Sequence, residues 1–402
     1  MSQAHTHDFD IVVAGGGLSG MAATVAFAHS GFRTLCVDPA TPVTSGSEPD
    51  ADLRTTALLQ PSRTLLDEIG LWQRLAPHAT ELATMRIVDA GGATSAPRLL
   101  RDFRASDIGS LPFGWNLPNW LLRREFVAEL ASLDRVTHHT GVGVSDVFSR
   151  DNAVHLRLSD GSNLTSKLVV GADGRNSRVR SCAGIGARTT RYAQKALAFA
   201  VTHDAPHDNI STEIHRSGGP FTLVPLPDRD GKPCSAVVWM ERGPEAARLM
   251  HLDESSFSAA ATERSGGLYG PLVLAGSRTI WPIISQIADR FDAERTALVA
   301  EAAHVVPPIG AQGLNMSLTD IGTLTNLIAG QADPGNADLL KRYSRARRPD
   351  VALRVTGIDL LNRTSMLTPK PLRDLRRGGI AALHGLAPLR RSLMKLGLGA
   401  QS

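Results

Sequence analysis

The chain has 402 residues, 42% of them hydrophobic and 20% charged, which suits a soluble globular protein of two domains, or one large domain with an insertion. Its three scattered cysteines, Cys36, Cys182 and Cys234, lack metal-ligand spacing, arguing against a disulfide scaffold or a Cys-based zinc site; with no signal peptide and no bilayer-length apolar run, a cytoplasmic location is expected. Net charge is +4 but uneven: from Lys370 onward seven Lys/Arg meet one acid, Asp374, so the tail carries +6 and the rest −2, with too few aromatics nearby to suggest nucleic acid.

The first predicted element is a strand, Ile11–Ala14, apolar throughout as a strand buried on both faces requires. Gly15, Gly17 and Gly20 come next with GxGxxG spacing. The first permits a tight turn, the second lets a pyrophosphate approach the backbone, and the third lets helix and strand pack closely. Leu18, Met21, Ala22, Val25 and Ala26 then repeat at helical spacing, Gly31 ends that helix, and "RTLCVD" reads as the next strand. Asp38 closes it 18 residues past Gly20, where a dinucleotide-binding unit places a carboxylate on a ribose hydroxyl. An acid there suits an unphosphorylated ribose, hence FAD or NAD.

Two later segments bear on that choice. "LVVGADGRNSRVR", Leu168 to Arg180, joins a buried-strand pattern to Asp173–Gly174 and a basic run. "TALVAEAAHVVPPIGAQGLNMSLTDIGTL", Thr296 to Leu324, offers a strand, Glu301, a Pro/Gly-rich loop and a helix with Leu314, Leu318, Ile321 and Ile328 on one face. Gly310 and Gly313 leave amides open at that helix start, where the dipole favours negative charge.

Together with "DLRTTALLQPSRTLLDEIGLW" (Asp52 to Trp72), "GGPFTLVPLP…SAVVW" (Gly218 to Trp239) and "RYSRARRPDV", these blocks resemble the single-component FAD-dependent aromatic hydroxylase family, in its ubiquinone-biosynthesis hydroxylase branch, from about Phe9 to about Asn362. The resemblance implies that Gly15, Gly17, Leu18 and Gly20 cradle the FAD pyrophosphate, with Asp38 on the adenosine ribose. It implies that Arg54 and Arg123 reach the phosphates or ribityl chain, that Val144 meets the adenine edge, and that Asp173 serves FAD and NAD(P)H together. Glu301, where the family usually has Asp, would hold the ribityl hydroxyls, and Gly310, Gln312, Gly313, Leu314 and Asn315 would line the isoalloxazine. "AEAAH" in place of "GDAAH" lengthens that carboxylate by one methylene.

The implied activity is an FAD-dependent, NAD(P)H-using monooxygenase that hydroxylates a polyprenyl phenol, a ubiquinone precursor, with O2 through a flavin C4a-hydroperoxide. Alternatives are a non-catalytic FAD-binding subunit of a ubiquinone-biosynthesis complex, or a related flavoprotein acting on a small aromatic; "WNLPNW" lacks the WxWxIP of flavin halogenases. No second GxGxxG unit succeeds a strand, so NADH or NADPH is a transient donor. Phe221, Leu223, Pro225 and Trp239 lie on alternating strand-like segments and read either as walls of an apolar cavity or as sheet core; the block match favours the cavity for Phe221 and Pro225. Pro307 joins them as a substrate-side residue. His304 is the one candidate base, though a structural histidine beside Pro307 and Pro308 is the preferred reading.

The fold expected is α/β: a discontinuous Rossmann-like FAD-binding domain (1–75, 98–180 and 280–330), a mixed β-sheet substrate domain (76–97 and 181–279) and a C-terminal helical segment (331–402). "LLKRYSRARRPDVALRVTGIDLLNR" reads as one long helix, and Pro369, Pro371 and Pro388 break the chain beyond it into short pieces. In the last piece Leu389, Leu393 and Leu396 oppose Arg390, Arg391 and Lys395, the pattern of an interfacial helix. The basic C-terminus is therefore expected to touch the inner face of the membrane peripherally, or a biosynthetic complex.

Overall fold

The computed structural model describes residues 7–48, 51–52, 54–90, 97–216, 218–366 and 387–398. Its first sheet has a parallel centre in which Phe9–Ala14 lies between Thr34–Asp38 and Asn163–Gly171, flanked by Val136–Thr140 and Thr296–Leu298. Val13 pairs with Cys36 on one side and Val170 on the other, and the strand is apolar because both faces of the sheet are covered. The Leu18–His29 helix packs against this sheet, the Asn119–Ser132 helix and the Gln312–Ile328 helix, and is buried from Gly20 to Ala28. Its small residues suit that enclosure, since no side of this stretch is left to solvent.

Backbone proximity dictates two glycines here. A Cβ on Gly20 would stand 1.8 Å from the Gly15 carbonyl oxygen, and one on Gly15 (φ 108°) would stand 2.3 Å from that of Ala172. Only glycine lets this turn, helix and neighbouring strand meet so closely.

The second sheet is mixed and larger, ordered His304–Val305, Thr279–Ala288, Ala187–Thr202, Lys232–Arg242, Pro220–Arg229, Ile210–His215, Thr84–Asp89 and Leu99–Arg104. Its outer face is covered by the Gly243–Met250 and Glu254–Arg264 helices. A small third sheet, Thr55–Leu59, Gly114–Pro118 and Thr80–Leu82, lies between the second sheet and the start of the Gln312–Ile328 helix. There Asn116 donates to the Pro225 carbonyl (2.8 Å), while Asn315 clasps the Ala57 carbonyl and the Leu59 amide (2.7 and 2.8 Å).

Strand pairing departs from the sequence-based division at three places. Leu99–Arg104, Thr279–Ala288 (from residue 280 on) and His304–Val305, assigned from sequence to the nucleotide-binding part, are strands of the second sheet. All three are held there by antiparallel pairing, which local patterning does not report.

Ala337–Ser365 forms one helix of 29 residues, capped by Asn336 and carrying Pro349 inside it. A final helix, Ala387–Leu398, places Met394 against Leu59, Ala105 and Phe113. Pro369 and Pro371 lie outside the described residues, as do the side chains of Leu389, Leu393, Lys395 and Leu396. Arg390 is not on a solvated face: its guanidinium lies 3.3 Å from Asp107. Among the described residues no helix is long and apolar enough to cross a membrane.

Candidate active site

At the carboxyl ends of the parallel strands a cleft of about 660 Å³ opens beside the second sheet. Gly15, Gly17 and Leu18 form one wall at the start of the Leu18–His29 helix. Gly17 caps that helix without a side-chain hydrogen bond, and no atom lies within 4 Å of where its Cβ would be. Open amides therefore face open space, the arrangement that receives a phosphate. Gly20 does not line the cleft; it permits the packing behind it. Asp38 lines the far end, but its oxygens also fix the turn, accepting from the Gly16 and Ala40 amides at 2.6 and 2.7 Å.

Opposite stands Arg54, its guanidinium held by Asp52 at 2.7 and 2.6 Å and stacked 5.3 Å from the Trp281 ring. Asn119 donates to the same Asp52 (3.1 Å) and accepts from Thr56 (2.8 Å). The hydrogen bond to Asp52 pushes the Arg54 pKa up, with the charges of Asp52 and Glu301 adding to it, so this cation is permanent. Burial pushes the Asp52 carboxyl up, but Arg54 outweighs it and leaves the group below its ordinary value. Arg123, Val144 and Glu301 also line the cleft.

Asp173 accepts from the Arg178 and Val179 amides through Oδ2, at 2.7 and 3.0 Å. Its Oδ1 is buried at the cleft wall without a partner. A buried carboxylate oxygen left unpaired is costly, so this atom fits a donor supplied by a bound group.

The second helix start, at Gln312, behaves as its glycines suggest. Ala311 caps it in the left-handed region (φ 55°, ψ 29°), no capping side chain bonds its first amides, and Gly313, Leu314 and Ser317 face the cleft. Gly310, Gln312 and Asn315 do not line it. Asn315 is the structural clasp to the third sheet, and Gln312 accepts from Arg354 (3.3 Å) and donates to the Gly397 carbonyl (3.1 Å). Ala300 (φ 56°), also in left-handed backbone, lines the cleft.

His304 reaches the cleft but is committed behind it. Its Nε2 lies 2.7 Å from Asp320, which also accepts from Arg347 (2.8 Å) and from the Ala300 amide (3.2 Å). Burial raises the Asp320 carboxyl, yet His304 and Arg347 together hold it below its usual range. This is a buried scaffold for the loop, in keeping with the structural reading of His304.

The substrate-side residues expected from sequence fall on the wrong face. Phe221, Leu223 and Trp239 belong to the apolar cluster beneath the two outer helices, with Phe221 edge-on to Trp239 at 5.4 Å and with Phe257 in the same cluster. Pro225 shares their strand parity. The alternate residues, Thr222, Val224 and Val238, are half-buried on the other face, where Val238 and Trp281 pack toward the first sheet's core. Both faces of this sheet are covered, so apolar alternation alone does not choose between them. Pro307 is buried in the loop before Gln312 and is not among the residues lining the cleft.

Sequence reasoning also missed Asp52, Thr56 and Asn119. Asp52, two residues before Arg54, was discoverable as a charge partner; Thr56 and Asn119 join through strand pairing across 63 residues and left no local signal.

FAD fits these residues: two helix starts with open amides, an unpartnered carboxylate oxygen and the fixed cation of Arg54 all border one cleft. Residues 8–357 match the FAD binding domain family. The chain is 34% identical to ubiquinone hydroxylase UbiL of Rhodospirillum rubrum over 400 residues, covering 97% of this chain and 89% of that one. It is 26% identical to 3-demethoxyubiquinol 3-hydroxylase of Escherichia coli, covering 97% and 98%. Its fold matches p-nitrophenol 4-monooxygenase PnpA of Pseudomonas putida DLL-E4 with a TM-score of 0.80 at 18% identity, covering 98% of both chains. The chain belongs to the FAD-dependent aromatic hydroxylase family, in its ubiquinone-biosynthesis branch, and is a flavoprotein monooxygenase.

Proposed function

We propose that the protein hydroxylates the ring of a polyprenyl phenol on the route to ubiquinone, using NADH or NADPH and O2. The observation that carries this reading is the open helix start at Gln312, which faces the same cleft as the glycine turn and lies beside the second sheet. FAD, when bound, would supply the redox chemistry, with the nicotinamide as two-electron reductant and O2 as oxidant, one oxygen atom going to the ring and the other to water. The chain supplies the rest. Amides at Gly17 and Leu18 hold phosphates, with Arg54 and Arg123 supplying positive charge. Asp173 Oδ1 accepts one hydrogen bond from the coenzyme. Amides at Gly313 and Leu314 stabilise negative charge where it accumulates, without reorganising.

The aromatic substrate would lie against Thr222, Val224, Val238 and Trp281, whose apolar surface excludes water from the reacting atoms. Proton removal from the phenol does not fall to His304, whose Nε2 is bound to Asp320. The location that accompanies this reading is cytoplasmic, with peripheral contact at the inner face of the membrane or with a biosynthetic complex.

The test is turnover of purified, FAD-loaded protein with a short-chain prenyl phenol, reduced nicotinamide and isotopically labelled O2. One labelled oxygen on the ring is the expected product. Bound FAD with no nicotinamide oxidation on any phenol overturns the reading in favour of a non-catalytic flavin-binding subunit.

A further inference from the structure

The Ala337–Ser365 helix has an outer face unlike the rest of the surface. Its exposed charges in the first half are Lys341, Arg342 and Arg345 against one acid, Asp338 in the first turn, and its second half exposes leucines beside Thr356 and Arg363. Leu353, Leu360 and Leu361 are 70%, 62% and 57% exposed, whereas the other exposed large apolar residues are dispersed over separate loops and strands. At 3.6 residues per turn, Arg342, Leu353 and Leu360 fall within about 20° of one line, along roughly 27 Å of helix. No exposed acid lies between Lys341 and Arg363: Asp350 and Asp359 are half-buried and paired with Arg347, Arg354 and Arg363.

A groove of about 500 Å³ runs between the basic half and the Gln312–Ile328 helix, lined by Thr323, Asn326, Leu327, Arg342, Arg345 and Ala346. Among the described residues neither Arg342 nor Arg345 has an ion pair or hydrogen bond. Two free guanidinium forks beside an amide and a hydroxyl suit phosphate, and a leucine row continuing from them suits hydrocarbon. Large exposed apolar side chains gathered on one helix mark an interaction site.

We infer that this helix face docks on a bilayer containing anionic phospholipid, with Arg342 and Arg345 on headgroup phosphates and Leu353, Leu360 and Leu361 at the acyl boundary. A second copy of the chain is a poor occupant: its basic half offers one exposed acid, Asp338, against Lys341, Arg342 and Arg345, so a two-fold contact leaves most of these cations unneutralised. The inference does not depend on the hydroxylase reading, and its test needs no turnover.

FAD-loaded full-length protein should sediment with vesicles of phosphatidylglycerol in phosphatidylcholine, lose that binding as salt rises, and bind pure phosphatidylcholine weakly. The triple variant L353S/L360S/L361S should lower the partition coefficient about a hundredfold or more. The double variant R342Q/R345Q should lower it about tenfold at low salt and flatten its salt dependence. Thermal transitions and flavin spectra of both should match the wild type, since all five side chains are solvent-facing.

Wild-type protein that stays in the supernatant overturns the inference. So does unchanged sedimentation of both variants when deletion of residues 387–402 abolishes it, which would assign binding to the last helix. A concentration-dependent dimer dispersed by the leucine variant, without vesicle binding, would make the face an interface between copies. Binding abolished by competition with an acidic protein but not by lipid would assign it to a protein partner.

Discussion

Both large sheets border the same cleft, but they present their residues to it in different ways. The parallel sheet contributes turns at the ends of its strands: Gly15–Leu18 after one, Asp38 at the end of the next, Asp173 after a third. Each position there answers a local steric or hydrogen-bonding demand. The mixed sheet contributes one face of long strands, and its other face is equally apolar beneath two helices. Loop residues can be placed by turn chemistry; residues of a doubly covered strand can be placed only once its parity is known.

The sharpest way to break this contrast is to truncate one residue on each face of the same strands. Phe221→Ala should destabilise the protein by about 3–5 kcal/mol, because a fully buried aromatic leaves a cavity. Its KM for the phenol should stay near wild type wherever the protein is folded. Val238→Ala, on the other face, should cost less than about 1.5 kcal/mol and raise KM. Denaturant unfolding and steady-state kinetics on the two variants decide the parity; a KM effect from Phe221 with none from Val238 would reverse it.

A comparable loss is expected on the parallel side from Asp320→Ala, which strands His304 and Arg347 without their shared carboxylate, at about 3–5 kcal/mol. The same group has a pH signature. Its folded-state pKa lies below the ordinary value, so its contribution is present above the unfolded carboxylate pKa of about 4 and is lost as pH falls through the lower folded value. Acid unfolding of wild type below about pH 4 should thus be steeper than that of Asp320→Asn.

Gly20→Ala should cost about 1–3 kcal/mol and release the flavin, since the added methyl meets the Gly15 carbonyl. Retained yellow colour and an unchanged melting transition would contradict the close approach. The smallest effect belongs to Arg54→Gln. Losing one fixed cation at an open cleft should weaken FAD about tenfold, read by flavin fluorescence titration, with little change in fold.

These expectations also mark how far the sequence could be read. The glycine turn, Asp38, Asp173 and the Gly313 helix start were legible because each answers a demand within a few residues. The 29-residue helix was legible over most of its length, the stretch "LLKRYSRARRPDVALRVTGIDLLNR" reading as one helix despite Pro349. Phe221, Leu223, Pro225 and Trp239 were recognisable as strand residues, but their direction depended on two helices later in the chain. The family resemblance implies Asn315 as a flavin contact; in the fold its side chain is spent on joining two elements more than 250 residues apart. Arg390 belongs to the basic side of the interfacial pattern, and only the folded chain brings Asp107 to it.

Ala300, which lines the cleft, and Ala311, which caps the helix start facing it, are both in left-handed backbone and carry one more implication. Glycine would relax either turn by something on the order of 1 kcal/mol, yet it would also let the rim wander among shapes that an alanine forbids. The opening thus behaves as a stencil cut to one outline: it accepts a coenzyme of fixed shape and resists being redrawn by whatever enters beside it.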